Sequence, residues 1–141
     1  DKFKVIGLTV NNNVELLLSQ MKEFKPEIVV IRDPKASERV IHQIPSNVEL
    51  LLGEDGLIEA TRNSEYDILL SALVGFSGLN PTIEGIKRGK RIALANKETL
   101  VVAGEIISTL ADKFNFQLKT SLQEISECRK FVNSFIRPIE I

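Results

Sequence analysis

The chain is short of the residues that most often announce a site. It has one cysteine, one histidine, one tyrosine and no tryptophan in 141 residues. A single cysteine excludes an internal disulfide and makes a reducing, cytosol-like compartment the default. Cys128 and the lone His42 are too few for a zinc-type ligand set, so each reads as ordinary surface or core packing. The net charge of −1 leaves no bulk field to draw nucleic acid or an anionic membrane. No apolar run reaches the roughly 18 residues of a membrane span. The opening "DKFKVIGLTV" lacks the charged, apolar, small-residue succession of a secretory signal. Missing too is any G-x-G-x-x-G phosphate loop.

What remains is an ordinary soluble composition, 43% apolar and 26% charged, arranged with a clear rhythm. "FKVIGLTV" (3–10) is rich in β-branched residues and predicts a strand. Asn13 then caps a helix that carries Val14, Leu17, Leu18 and Met21 on one face and closes at Pro26. "EIVVI" (27–31) predicts a second strand, and "DPKASERVIHQI" (33–44) a helix with Asp33 at its cap and Pro34 in its first turn. "NVELLLG" (47–53) is a third strand stopped by Gly53 and Gly56, with a short helix in "LIEATRN" (57–63). "YDILLSALVG" (66–75) reads as a strand covered on both faces, "LNPTIEGIKRG" (79–89) as a helix, and "RIALAN" (91–96) as a strand. A long helix over 97–114 and a short strand over 116–120 complete the pattern. Strand then helix, repeated five times, predicts an α/β fold: a parallel sheet with helices on both faces.

In such a sheet, ligands lie outside the carboxyl ends of the strands. Three segments fall there: Asn11-Asn12-Asn13, the "GFSG" loop from Gly75 to Gly78, and Asn96-Lys97-Glu98. Asparagine amides can read ribose hydroxyls or phosphate oxygens, and a glycine such as Gly75 lets a ligand approach the backbone. A plainer reading stands beside each. The asparagines fit a turn and helix cap, "GFSG" fits a strand-to-helix junction, and Asn96-Lys97-Glu98 fits a cap and a solvated first turn. Lys97 is harder to place that way, because a cation at a helix N-terminus opposes the macrodipole. An anionic ligand between the two would account for it.

"SALVGFSGLNPTIEGIKRGKRIALANKETLVVAGEII" (71–107) closely resembles the cofactor-domain core of 1-deoxy-D-xylulose 5-phosphate reductoisomerase, an enzyme of the non-mevalonate isoprenoid pathway. "FKVIGLTVNNNVELLLSQMKEFKPEIVVI" (3–31) also lines up with that family's second and third strands. The resemblance implies a Rossmann-like NADPH-binding domain over residues 1–119, lacking the first βα unit, followed by a divergent helical tail over 120–141. It implies NADPH and a divalent cation (Mg²⁺ or Mn²⁺) as cofactors. The phosphorylated sugar 1-deoxy-D-xylulose 5-phosphate is the implied substrate, rearranged and reduced to 2-C-methyl-D-erythritol 4-phosphate. By the same resemblance Asn96 and Glu98 contact the cofactor, Lys97 contacts the substrate, and Asn11, Asn12 and Asn13 hold the adenosine end of NADPH.

The chain departs from the family pattern at three places. The opening strand with its glycine-rich loop is missing, and Asn11-Asn12-Asn13 contains no Lys or Arg to meet a 2′-phosphate. Where the family continues into "P-V-D-S-E-H", with its metal-binding Asp and Glu, this chain reads "TSLQEISECRKFVNSFIRPIEI" (120–141). Glu124 and Glu127, beside Arg129 and Lys130, read as a solvated helix face rather than a metal site. This polypeptide alone is therefore expected to have no turnover. Two alternatives stand: a non-catalytic nucleotide-binding or interaction module, with Ile125, Cys128, Val132 and Phe135 on a docking face, or a truncated fragment without function. An exposed sheet edge is expected to favour a homodimer. The expected location is cytoplasmic, or a plastid-type organelle in a eukaryote; neither membrane nor nucleic acid is an expected partner.

Overall fold

The computed structural model describes residues 3–73 and 75–94, with Thr109 and Lys113, and leaves the side chains of Gly75 and Leu94 undescribed. The chain divides into two compact units, Asp1–Tyr66 and Asp67–Ile141.

In the first unit the elements run β1 (Gly7–Val10), α1 (Val14–Phe24), β2 (Ile28–Ile31), α2 (Pro34–Glu38), a 3-10 turn at Ile41–Gln43, β3 (Glu49–Leu52) and α3 (Gly53–Asn63). The strands form one parallel sheet in the order β1-β2-β3. Register places Leu8, Val29 and Leu50 in one row and Val10, Ile31 and Leu52 in the next. Since side chains alternate across a sheet, both rows share a face. On that face Val29 and Ile31 join Val14, Leu17 and Met21 of α1 and Ala36 of α2 in the core. Full burial of a Leu or Val contributes about 1.5–3 kcal/mol, so this cluster is the main stabiliser of the unit.

The intervening residues face the other way, where α3 lies against β2 and β3. Val30 is buried there, as are Leu57 and Thr61 of α3. A Cβ added to Gly56 would stand 3.0 Å from both the carbonyl carbon and the Cβ of Leu51. That glycine is what lets α3 approach the sheet, and it sits inside the helix rather than ahead of it. Gly53, at φ 71°, supplies the left-handed turn between β3 and α3. So α3 starts earlier than the expected 57–63. The predicted helix over 33–44 is broken instead. Asp33 caps it by accepting from the Lys35 amide, but α2 ends at Glu38 and Val40 turns inward to the core.

The second unit contains β4 (Ile68–Ser71), a 3-10 turn at Gly75–Gly78, α4 (Leu79–Lys87) and β5 (Arg91–Leu94). β4 and β5 pair in parallel, Ile68 opposite Arg91 and Ser71 opposite Leu94. The buried Thr82 hydroxyl bonds the Ser71 hydroxyl at 3.2 Å and donates to the Gly78 carbonyl at 2.6 Å. That ties α4 to the ends of both β4 and the glycine turn. The five described strands thus form two hydrogen-bonded parallel sheets rather than one. Thr109 and Lys113, within the long helix expected over 97–114, are helical and exposed. The strand expected over 116–120 and the tail over 120–141 lie outside the described residues.

Candidate functional site

Parallel strands bring their carboxyl ends to one rim. In the first unit that rim carries Asn11, Asn12 and Asn13 after β1, Arg32 and Asp33 after β2, and Gly53 and Glu54 after β3. The ladder runs past the strand ends: the Arg32 amide donates to the Val10 carbonyl at 3.0 Å, and the Asp33 amide to the Asn11 carbonyl at 3.1 Å.

The three asparagines, alike in sequence, are not alike in structure. Asn13 caps α1, its side-chain oxygen accepting from the Leu16 amide at 3.2 Å. The plainer reading therefore holds for Asn13. Asn11 and Asn12 are exposed, and no side-chain hydrogen bond engages either amide among the described residues. These two remain available to a ligand.

Arg32 was not among the sequence candidates. Its Nη2 lies 2.8 Å and its Nε 3.0 Å from Oε2 of Glu54, which anchors the guanidinium at the rim. A lone arginine after a strand looks like any surface cation in sequence; only the register places it beside Asn11. At the opposite rim the charged pair is Lys4 with Glu27, at 2.5 Å. A shallow cleft there, lined in part by Glu49, Glu59 and Asn63, carries two carboxylates and no cation.

In the second unit Gly75 begins the 3-10 turn that follows β4, and Phe76 stands 69% exposed beside it. Phe76 lies within the "GFSG" segment singled out in the sequence; its exposure is what the structure adds. Asn96, Lys97 and Glu98 follow β5 in the chain but lie outside the described residues. The same holds for Glu124, Glu127 and Cys128, while His42 is exposed. Among the described residues no group of three His, Cys, Asp or Glu side chains could hold a metal ion, so they do not fit a divalent cation site.

Parallel strands, helices on both faces of the first sheet and a polar carboxyl rim place the chain in the class of doubly wound α/β nucleotide-binding domains. Comparison with known proteins narrows the class. Residues 1–104 match the family model of 1-deoxy-D-xylulose 5-phosphate reductoisomerase. The reductoisomerase of Thermodesulfovibrio yellowstonii is 46% identical over 107 residues, covering 76% of this chain and 28% of that protein. That of Phocaeicola vulgatus is 44% identical over 118 residues, covering 82% of this chain and 30% of its own. Among solved structures, the Zymomonas mobilis reductoisomerase in complex with NADPH superimposes with a TM-score of 0.75 at 35% identity, over 82% of this chain and 31% of that one. A reductoisomerase in complex with NADPH, fosmidomycin and magnesium gives a TM-score of 0.71 at 27% identity, over 95% of this chain and 36% of that one. This chain belongs to the 1-deoxy-D-xylulose 5-phosphate reductoisomerase family. It spans roughly a third or less of the length of these relatives. Among the described residues no helix is long and apolar enough to cross a membrane.

Proposed function

We propose that this chain is the cofactor-binding part of a 1-deoxy-D-xylulose 5-phosphate reductoisomerase, an NADPH-dependent oxidoreductase of isoprenoid biosynthesis. Asn11 and Asn12 meet the adenosine end of NADPH, Gly75 lets the cofactor approach the backbone, and Asn96 and Glu98 complete its contacts. Lys97 is the one substrate contact, an ammonium for a phosphorylated sugar. NADPH, when bound, supplies the hydride; the chain's own residues bind and orient it. The observation that carries this reading is the carboxyl rim of the first sheet, where two unengaged amides stand beside an anchored guanidinium.

Rearrangement of a carbon skeleton with reduction calls for a Lewis acid to hold two substrate oxygens. The described residues gather no set of ligands for one. For the 141-residue polypeptide by itself, cofactor binding without turnover is the expected outcome. Its division into a cofactor domain over 1–119 and a divergent tail over 120–141 belongs to the same reading. Titration calorimetry with NADPH tests the core of the proposal. Dissociation constants in the micromolar range are expected, and the absence of heat at millimolar cofactor would sink it.

A further inference from the structure

We propose that Arg32 reads a 2′-phosphate on the adenosine ribose of the bound cofactor, exchanging Glu54 for that phosphate. The inference rests on the cofactor reading above and adds to it the residue that decides between phosphorylated and unphosphorylated ribose. It begins from a deficit. Asn11, Asn12 and Asn13 carry no charge, and an amide can donate to a hydroxyl or a phosphate oxygen but cannot neutralise a dianion. Of the residues that directly follow β1, β2 and β3, Arg32 is the one cation.

Its placement is set by the backbone. The hydrogen bonds from Arg32 to Val10 and from Asp33 to Asn11 hold the two chain segments side by side, at the roughly 4.8 Å spacing of adjacent strands. Alternation across the sheet then puts Asn11 and Arg32 in one row on the face covered by α3. Glu54 opens α3 on that same face. A ribose held by the asparagine amides would therefore have its 2′ position within reach of the guanidinium. Doubly wound domains that take a phosphorylated ribose meet it with an arginine in this neighbourhood.

The side chain is prepared for that task and not used up. Both of its contacts go to one oxygen of Glu54, Nη2 at 2.8 Å and Nε at 3.0 Å. Nη1 has no hydrogen-bond partner among the described residues. With 24% of its side chain exposed, Arg32 is screened by the protein yet open to a ligand. A planar fork of donors suits phosphate better than a lysine would. Glu54, 40% exposed, holds the fork in place while the site is empty and competes once an anion arrives.

The test uses the full chain and two small probes, adenosine 2′,5′-bisphosphate and adenosine 5′-monophosphate, which differ only in the 2′-phosphate. Wild type is expected to prefer the bisphosphate by about tenfold or more, the scale of one charge-assisted bidentate contact. Arg32→Gln should erase the preference while leaving monophosphate affinity unchanged, and Arg32→Lys should keep part of it. Glu54→Gln, which removes the competing carboxylate, should tighten the bisphosphate about threefold and leave the monophosphate alone. A folded Arg32→Gln that keeps the full preference, or that loses both probes together, overturns the role of Arg32. So does a wild type that binds both probes equally, although nucleotide binding then survives. A wild type that binds neither overturns this inference and the cofactor reading with it. Should Arg32→Gln fail to fold by circular dichroism, Glu54→Gln decides alone, and an unchanged preference there overturns the inference.

Discussion

Asn11, Asn12 and Asn13 are one residue type three times over, yet the backbone gives them different work. Asn13 satisfies an orphan amide at the start of α1, and Val14, next to it, is 0% exposed in the core. Replacing Asn13 by Ala should cost about 1 kcal/mol of stability, the usual worth of a helix cap. Asn11→Ala and Asn12→Ala should each change stability by less than about 0.5 kcal/mol, as surface substitutions do, while weakening NADPH. Urea melts beside calorimetry separate the two outcomes. If Asn11→Ala and Asn12→Ala both left cofactor affinity intact, the amides would have no part in the site. Sequence could nominate all three residues, because Asn is equally at home in turns, caps and polar contacts. It could not divide them, since the division depends on which amide the first turn of α1 happens to present.

At the scale of elements, the contact between α3 and the sheet turns on Gly56. A methyl group there would press on the Leu51 carbonyl carbon and Cβ, both at 3.0 Å. Neither neighbour is the far end of a flexible chain, so the helix itself must shift. Gly56→Ala should destabilise the first unit by about 1–3 kcal/mol, the range for overpacking a core. Melting unchanged by that substitution would mean that α3 can move off the sheet without cost. The same glycine explains the misplaced start of this helix in sequence. Gly53 and Gly56 look like breakers, and a helix with two glycines in its first four residues has poor intrinsic propensity. Tertiary contact outweighs propensity here. By contrast the strands were legible from short apolar runs, and α1 from its apolar spacing, because both depend on burial of a local pattern. α2 was legible only at its beginning. Its cap and proline are local signals, whereas its end follows from Val40 turning into the core.

Across the molecule, the described strands make two parallel sheets, and each leaves an edge unpaired. β1 is one such edge, and Gly7 and Thr9 along it are exposed. Edges of this kind recruit other strands unless blocked by charge or proline. Self-association that grows with concentration is expected, read by sedimentation velocity. Thr9→Lys should weaken it, and a monodisperse monomer at high concentration would rule the edge out as a contact. An exposed edge was already expected from the sequence, whereas Arg32 was not visible there as a functional feature. Its role arises from which strand lies beside which, and that is a property of the assembled sheet.

The rim and the core meet at a single step along the chain. Val10 and Ile31 belong to the packed face, and the residues immediately after them, Asn11 and Arg32, carry no part of that packing. Selection can therefore exchange one recognition group for another at these positions without repacking the interior. Relatives that hold the same cofactor are free to reach it with differently placed charges, and a drift in nucleotide preference could proceed through single substitutions that leave the scaffold untouched.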